Sequence, residues 1–240
     1  MKPNIDAIIF DIDGVLVGNE AFTEATCRTV ASILLESKNM KVTVTPETIS
    51  AIKSIPGFNN DWDTSYALVD LLGRNFSPSA FAENISPLTD AVRNSRLYKR
   101  IKTRFQSIYV GKTYDGCIAN ESLLIDKTLL ADLKESYRLG IATGRPKNEA
   151  IFSLTRLGIT PTYIPMDYIV ALEDTVNGKP APDPLLEASR RMNASYPVYI
   201  GDTINDVIAA KAADMPSIYV GNEKVGDNQI PTINNLKEVI

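Results

Sequence analysis

Short, wholly apolar runs, each halted by a polar or glycine turn, constrain this chain more than any other feature. Ala7-Ile8-Ile9-Phe10 stops at Asp11, Leu139-Gly140-Ile141-Ala142 at Thr143-Gly144, and Val198-Tyr199-Ile200 at Gly201-Asp202. Tyr168-Ile169-Val170-Ala171 precedes Glu173-Asp174, and Ser217-Ile218-Tyr219-Val220 stops at Gly221. Consecutive apolar positions mean that both faces are covered, as in the strands of a parallel sheet. Helical patterns lie between the runs. Asp126 can cap a helix carrying Leu129, Leu130, Leu133 and Tyr137, and Pro146 opens another that Gly158 closes. Asp183-Pro184 reads as N-cap and N1 of a third, and Thr203 to Ala213 as a fourth. Alternating strands and helices predict an α/β fold with a doubly wound parallel sheet.

The stretch 18–115 is different. Phe22, Val30, Ile33, Leu34 and Leu35 mark one helix, and Thr45-Pro46-Glu47 supplies an N-cap, N1 and acidic first turn for a second. Trp62 to Arg74 carries Leu68, Leu71 and Leu72. Ser77-Pro78 and Ser86-Pro87 read as further helix starts, and Tyr98 to Tyr109 as a last helix. The expectation is an α-helical domain, 18–115, inserted into an α/β core of 1–17 and 116–240. With 240 residues there is room for both.

Histidine is absent, which removes Ser-His and Cys-His pairs, histidine metal ligands and imidazole bases together. The formal net charge of −4 and pI near 5.0 argue against a nucleic-acid partner. The basic stretch Lys99-Arg100-Ile101-Lys102-Thr103-Arg104 reads as a solvated helix face. Cys27 and Cys117 are too few for a zinc site or a disulfide scaffold and read as small buried residues. Nothing resembles a signal peptide or a membrane span, so a cytoplasmic location and no membrane partner are expected. Monomer and homodimer stay open.

In an open parallel sheet, ligands bind beyond the carboxyl ends of the strands. The polar residues at those ends are Asp11, Asp13, Thr143, Asp174 and Asp202. Four carboxylates there repel one another unless a cation sits among them, and an all-oxygen set suits Mg2+ beside a phosphate. The helix start after Thr143-Gly144 and Lys179 can meet a phosphate dianion. In Asp11-Ile12-Asp13-Gly14-Val15 one carboxylate is placed to attack phosphorus and the other to handle the leaving oxygen's proton. The plainer reading is a strand followed by an Asx-turn. Thr143-Gly144-Arg145, Gly178-Lys179-Pro180 and Gly201-Asp202-Thr203-Ile204-Asn205-Asp206 extend the set in order.

Together these segments resemble the haloacid dehalogenase superfamily over essentially the whole chain, with the helical insertion similar to the cap of the phosphoglycolate phosphatase and beta-phosphoglucomutase subfamily. The resemblance implies Asp11 as nucleophile and Asp13 as general acid, then base. Thr143 and Lys179 would hold the phosphoryl group, and Mg2+ would be bound by Asp11, the Asp13 carbonyl and Asp202, with Asp206 in or near that shell. Dehalogenases usually lack the second aspartate, so Asp13 favours phosphoryl chemistry. Gly144 and Arg145 are further phosphate-binding candidates.

In the insertion, Ile55 to Asp63 is the candidate for substrate selection, with Asn59 and Asn60 as readers of substrate hydroxyls. The same residues fit a helix start, with Asn60 or Asp61 as N-cap and Trp62 in the core. Lys53 and Arg74 are positioned for a second anionic group but read more simply as solvated charges. The expected activity is Mg2+-dependent hydrolysis of a small phosphorylated metabolite through an aspartyl-phosphate. A phosphomutase is the alternative, and a non-catalytic scaffold a more distant one.

Overall fold

The structure, a computed structural model, describes residues 5–55, 57–58, 60–222, 225 and 228–240. Its strands are β1 (Ala7–Phe10), β2 (Arg138–Ala142), β3 (Ile169–Val170), β4 (Pro197–Gly201), β5 (Ser217–Val220) and β6 (Gln229–Ile230). They form one sheet in the order β3-β2-β1-β4-β5-β6, and every pairing is parallel. The helices among the described residues begin with α1 (Glu20–Lys38), α2 (Pro46–Lys53), α3 (Asp61–Gly73), α4 (Phe81–Asn84) and α5 (Asp90–Arg93). They continue with α6 (Arg96–Tyr109), α7 (Lys127–Ser136), α8 (Lys147–Arg156), α9 (Asp183–Met192) and α10 (Ile204–Ala212). The chain divides into two compact units, one of Met1–Asn19 with Glu121–Ile240 and one of Glu20–Asn120.

In the first unit the sheet is covered on both faces. Successive side chains of a strand point to opposite sides, and β1 splits accordingly. Ile8 and Phe10 join Leu129, Leu130, Leu133, Ala150 and Leu154 from α7 and α8. Ala7 and Ile9 join Leu185, Ala188, Met192, Ala209 and Ala210 from α9 and α10. All four β1 residues are wholly buried; burying an isoleucine or phenylalanine side chain is worth about 1.5–3 kcal/mol. The chain runs outward on one side from β1 to β3, then crosses to build β4, β5 and β6. That reversal makes β1 and β4 the switch point of the sheet, where a crevice opens at their carboxyl ends.

The second unit is helical among its described residues. Its core contains Val30, Ile33, Leu34, Ile49, Ile52, Phe58, Leu68, Leu71, Phe81 and Ile101. Thr45 caps α2 through a bond from the Thr48 N–H at 3.3 Å, with Pro46 in the first turn. The basic stretch of α6 is only partly a solvated face. Arg100 and Arg104 both pair with Glu36 on α1, at 2.6 and 2.8 Å, and Lys102 lies over the Trp62 ring.

Several elements depart from the pattern read in the sequence. Leu35 is 45% exposed, because α1 turns it away from the core. Ser86-Pro87 starts no helix; the Thr89 hydroxyl takes the Val92 N–H and begins α5 instead. Ser77-Pro78 opens only a 3-10 turn, Pro78–Ala80, before α4. Tyr137 is extended and ends α7, and Asp126 precedes that helix without a side-chain capping bond. The α9 helix begins at Asp183, so Pro182 rather than Asp183 is its N-cap. The run at Tyr168 yields only two strand residues, and β6 was not visible as a pattern. No helix among the described residues is long and apolar enough to cross a membrane.

Candidate active site

Asp11 emerges where β1 ends. Its N–H still bonds the Ile200 carbonyl at 2.9 Å, so the ladder to β4 holds its backbone in place. One carboxylate oxygen accepts the Ile12 N–H at 2.8 Å, and the other faces the Lys179 ammonium at 2.8 Å. Asp202 follows the last residue of β4, and Asp206 lies in the first turn of α10. Oxygens of Asp11, Asp202 and Asp206 fall within 4.8 Å of one another. Burial pushes the Asp11 carboxyl up to about 6, helped by Asp206 and Asp13 and opposed by Lys179. Burial, with the charges of Asp11, Asp206 and Asp13, pushes Asp202 well above the usual carboxylate range. Among the described residues, the Asp202 carboxylate has no hydrogen bond or ion pair. A half-buried carboxylate in that state, beside the buried Asp11, is a place where a hard cation fits.

Gly14 makes the close approach possible. Its φ is +71°, and a Cβ there would stand 1.8 Å from Asp202 Oδ2. Any side chain would occupy the space that the Asp202 carboxylate needs.

Asp206 is differently employed. Its Oδ1 accepts from Lys179 Nζ at 2.7 Å and from the Tyr199 hydroxyl at 2.9 Å. Its Oδ2 accepts from the Thr203 N–H at 3.0 Å and the Thr203 hydroxyl at 2.6 Å. Although burial works against its charge, Lys179 and these donors hold it below the usual carboxylate range. Lys179 Nζ also donates to the Tyr199 hydroxyl oxygen at 2.8 Å, and Asp11 and Asp206 outweigh the burial that disfavours its positive charge. Tyr199 was not singled out in the sequence. It sits within the apolar β4 run, wholly buried, and its hydroxyl faces the site's cation. A tyrosine in an otherwise aliphatic strand was the only signal available.

Thr143 is buried one residue beyond β2, its N–H bonded to the Val170 carbonyl at 3.0 Å. Its hydroxyl accepts the Arg145 N–H at 3.2 Å. Among the described residues beyond its chain neighbours, no atom lies within 4 Å of where a Gly144 Cβ would stand, so this turn is open. The α8 N-terminus expected to meet phosphate is partly committed, because the Lys147 N–H donates to Glu173 at 2.8 Å. The Arg145 side chain turns away from open space. Nε meets both Asp13 oxygens at 3.0 Å, Nη2 meets one at 2.5 Å, and Nη1 meets Glu121 and Ser153, each at 2.9 Å.

Asp174 does not join the acidic cluster, contrary to the expectation from strand ends. Its carboxylate takes the Ala171 N–H at 2.9 Å, Lys147 at 3.0 Å and Arg191 at 2.9 Å. Burial notwithstanding, these partners lower it to about 2. Strand β3 is short and bends into a 3-10 turn, which carries Asp174 onto α9.

The segment considered for substrate selection makes local bonds where it is described. Asn60 Oδ1 caps α3 by accepting the Asp63 N–H at 2.7 Å. Asp61 pairs with Lys53 at 2.9 Å. Asp63 is wholly buried and holds Arg93 at 2.8 Å and the Tyr98 hydroxyl at 2.6 Å. Arg74 pairs with Asp70 at 2.7 Å. Pro56 and Asn59 lie outside the described residues.

Comparison with known proteins points the same way. A family model described as haloacid dehalogenase-like hydrolase matches residues 5–214. An imidazoleglycerol-phosphate dehydratase of Phytophthora nicotianae is 31% identical over 220 residues, 89% of this chain and 42% of that protein. A phosphoglycolate phosphatase of Colwellia psychrerythraea is 36% identical over 113 residues, 44% of this chain and 47% of that protein. The chain thus spans about half or less of the length of these curated relatives. Among solved structures, phosphatase Tt82 from Thermococcus thioreducens superposes with a TM-score of 0.74 at 25% identity, covering 96% of this chain and 97% of that one. The parallel sheet with its acidic switch point, and a family match over most of the length, lead to one conclusion: this chain belongs to the haloacid dehalogenase-like hydrolases.

Proposed function

We propose that the chain is a Mg2+-dependent phosphatase that hydrolyses a small phosphate monoester through an aspartyl-phosphate on Asp11. One observation carries the reading: a buried aspartate at the end of the central strand stands between a lysine ammonium at 2.8 Å and the half-buried Asp202 carboxylate. Asp11 and Asp202, with the main-chain carbonyl of Asp13, would hold Mg2+, which would neutralise charge on the phosphoryl oxygens and lower the cost of ionising both carboxylates. Asp206 acts through Lys179, since its two oxygens already accept four hydrogen bonds.

In the first half-reaction an Asp11 oxygen attacks phosphorus, the bond to the leaving oxygen breaks, and Asp13 gives that oxygen a proton. In the second, Asp13 takes a proton from water, the hydroxyl oxygen bonds to phosphorus, and Asp11 departs as a carboxylate. Lys179 stays against Asp11 and balances charge throughout. Thr143, at the mouth of the open Thr143-Gly144 turn, is the candidate hydroxyl donor to the phosphoryl group.

The likeness to phosphatase Tt82 over nearly the whole chain supports phosphatase over dehalogenase chemistry. The partial likeness to phosphoglycolate phosphatases puts small anionic monoesters such as 2-phosphoglycolate first among substrates to try. The test is phosphate release from an aryl phosphate and from a panel of phosphorylated metabolites, with and without Mg2+. Mg2+-dependent release that disappears in Asp11→Asn is expected. Interconversion of sugar phosphates without net release would favour a mutase, and no turnover of any compound would leave a binding protein.

A further inference from the structure

Arg145 follows Thr143-Gly144 directly, where a cation invites assignment as a phosphate ligand. Its geometry says otherwise. The side chain is 2% exposed, and all three guanidinium nitrogens meet protein oxygens. Behind it stand Glu121, a wholly buried carboxylate, and Ser153 of α8, both on Nη1. Glu121 is itself fixed, since its carbonyl accepts from Arg156 at 2.7 Å. In front, Nε and Nη2 fork onto the carboxylate of Asp13, whose side chain is 30% exposed.

We propose that Arg145, locked from behind by Glu121 and Ser153, is a positioning residue that fixes the Asp13 carboxylate for proton transfer and is not a ligand of the phosphoryl group. This rests on the phosphatase reading above. The argument is one of freedom. An aspartate in the turn after β1 has two side-chain torsions, and a carboxylate held at one point can still rotate. A planar fork gripping both oxygens removes that rotation, and lysine, with one point of charge, does not reproduce it. A fork helps only if it is itself immobile, and the anchors on Nη1 supply that. The main-chain N–H of Arg145 also bonds the Thr143 hydroxyl, so one residue sets the attitude of two groups facing the reacting phosphorus.

The experiment compares wild type with Arg145→Lys, Glu121→Gln and Ser153→Ala on aryl phosphates of graded leaving-group acidity, from phenyl to p-nitrophenyl phosphate, at saturating Mg2+. A misplaced proton donor slows the poor leaving group most. For Arg145→Lys, kcat on phenyl phosphate should fall roughly 100-fold, with a much smaller loss on p-nitrophenyl phosphate and little change in KM. Ser153→Ala keeps both charges and tests the proposal even if the arginine variant does not fold. It should move the same way by about 2- to 12-fold, the worth of one hydrogen bond. In an Asp13→Asn background, Arg145→Lys should add almost nothing. Raised KM at unchanged kcat, or equal losses across leaving groups, would overturn the positioning role and return Arg145 to phosphate binding or to structure. Wild-type protein without Mg2+-dependent turnover would overturn the phosphatase reading and the positioning role together.

Discussion

Replacing Gly14 by alanine tests the geometry of the acidic site with a single methyl group. The methyl would stand 1.8 Å from Asp202 Oδ2 and 2.4 Å from Asp202 Cγ, against the 3.0 Å below which real Cβ contacts are essentially never seen. The Asp202 carboxylate must therefore retreat by about 1.2 Å or more. It cannot do so cheaply, because it is a short side chain at the end of β4 and the Asn19 amide lies 3.1 Å from the same methyl. The backbone contributes a second cost, since φ of +71° suits glycine, and an L-residue in that region is strained by about 1–2 kcal/mol. For a domain of this size that lowers Tm by roughly 2–8 °C. Moving a reacting or metal-facing group by about 1 Å costs on the order of 100-fold in rate, and the Mg2+ concentration for half-maximal activity should rise roughly 10- to 100-fold. Thermal unfolding by circular dichroism and Mg2+ titration of aryl phosphate turnover measure the two effects separately. Gly144→Ala is the internal control, because among the described residues nothing beyond its chain neighbours lies within 4 Å of its Cβ position; its stability should stay within about 0.5 kcal/mol of wild type. A Gly14→Ala protein that keeps wild-type Mg2+ dependence would refute the close approach of Asp202 to the turn after Asp13.

The remaining predictions concern pH and the helical unit. Burial raises the Asp11 carboxyl to about 6, above its ordinary 3.8, and displaces Asp202 the same way. A raised carboxyl pKa stabilises the folded state below about pH 4 and loses that contribution as pH rises through about 6. Because Mg2+ favours the ionised forms, the rise in Tm it produces should be larger near pH 8 than near pH 5; equal rises at both would count against a cation among these carboxylates. Asp63→Asn removes the buried charge that holds Arg93 and Tyr98. The cost should be about 2–3 kcal/mol by urea unfolding, below a fully buried pair because the Arg93 side chain is 40% exposed. Asn60→Ala deletes the α3 cap and should destabilise by about 1 kcal/mol. Unchanged stability in that variant would free Asn60 for the substrate contact read from its sequence context.

Much of the fold was legible in one dimension because its signals are local. A strand buried on both faces must be apolar at every position, so β1, β2, β4 and β5 declared themselves. Thr45, Thr203 and Pro46 announced helix starts because capping involves residues three apart. Asp11, Asp13 and Asp202 stood out as polar residues at strand ends, where the ligands of such a sheet collect, and Lys179 as a lysine shortly before a helix. Where several side chains compete for one partner, local signals run out. Ser77, Ser86 and Thr89 all resemble caps, and packing decided among them.

Sequence alone, then, pointed to the parallel α/β architecture and to which strand ends carry polar groups, because hydrophobic periodicity and turn chemistry act over a few residues. Tertiary structure decided which of those groups meet. It sent Asp174 to Lys147 and Arg191, gave Asp206 to Lys179, and brought the Tyr199 hydroxyl beneath the same ammonium. It also set Arg145 against Asp13, 132 residues away, with Glu121 and Ser153 behind it. Glu121 carries no local pattern at all. Its place follows from the low dielectric of the interior, where a buried guanidinium is tolerated only when carboxylates from distant parts of the chain converge on it, and that convergence is a property of the folded chain.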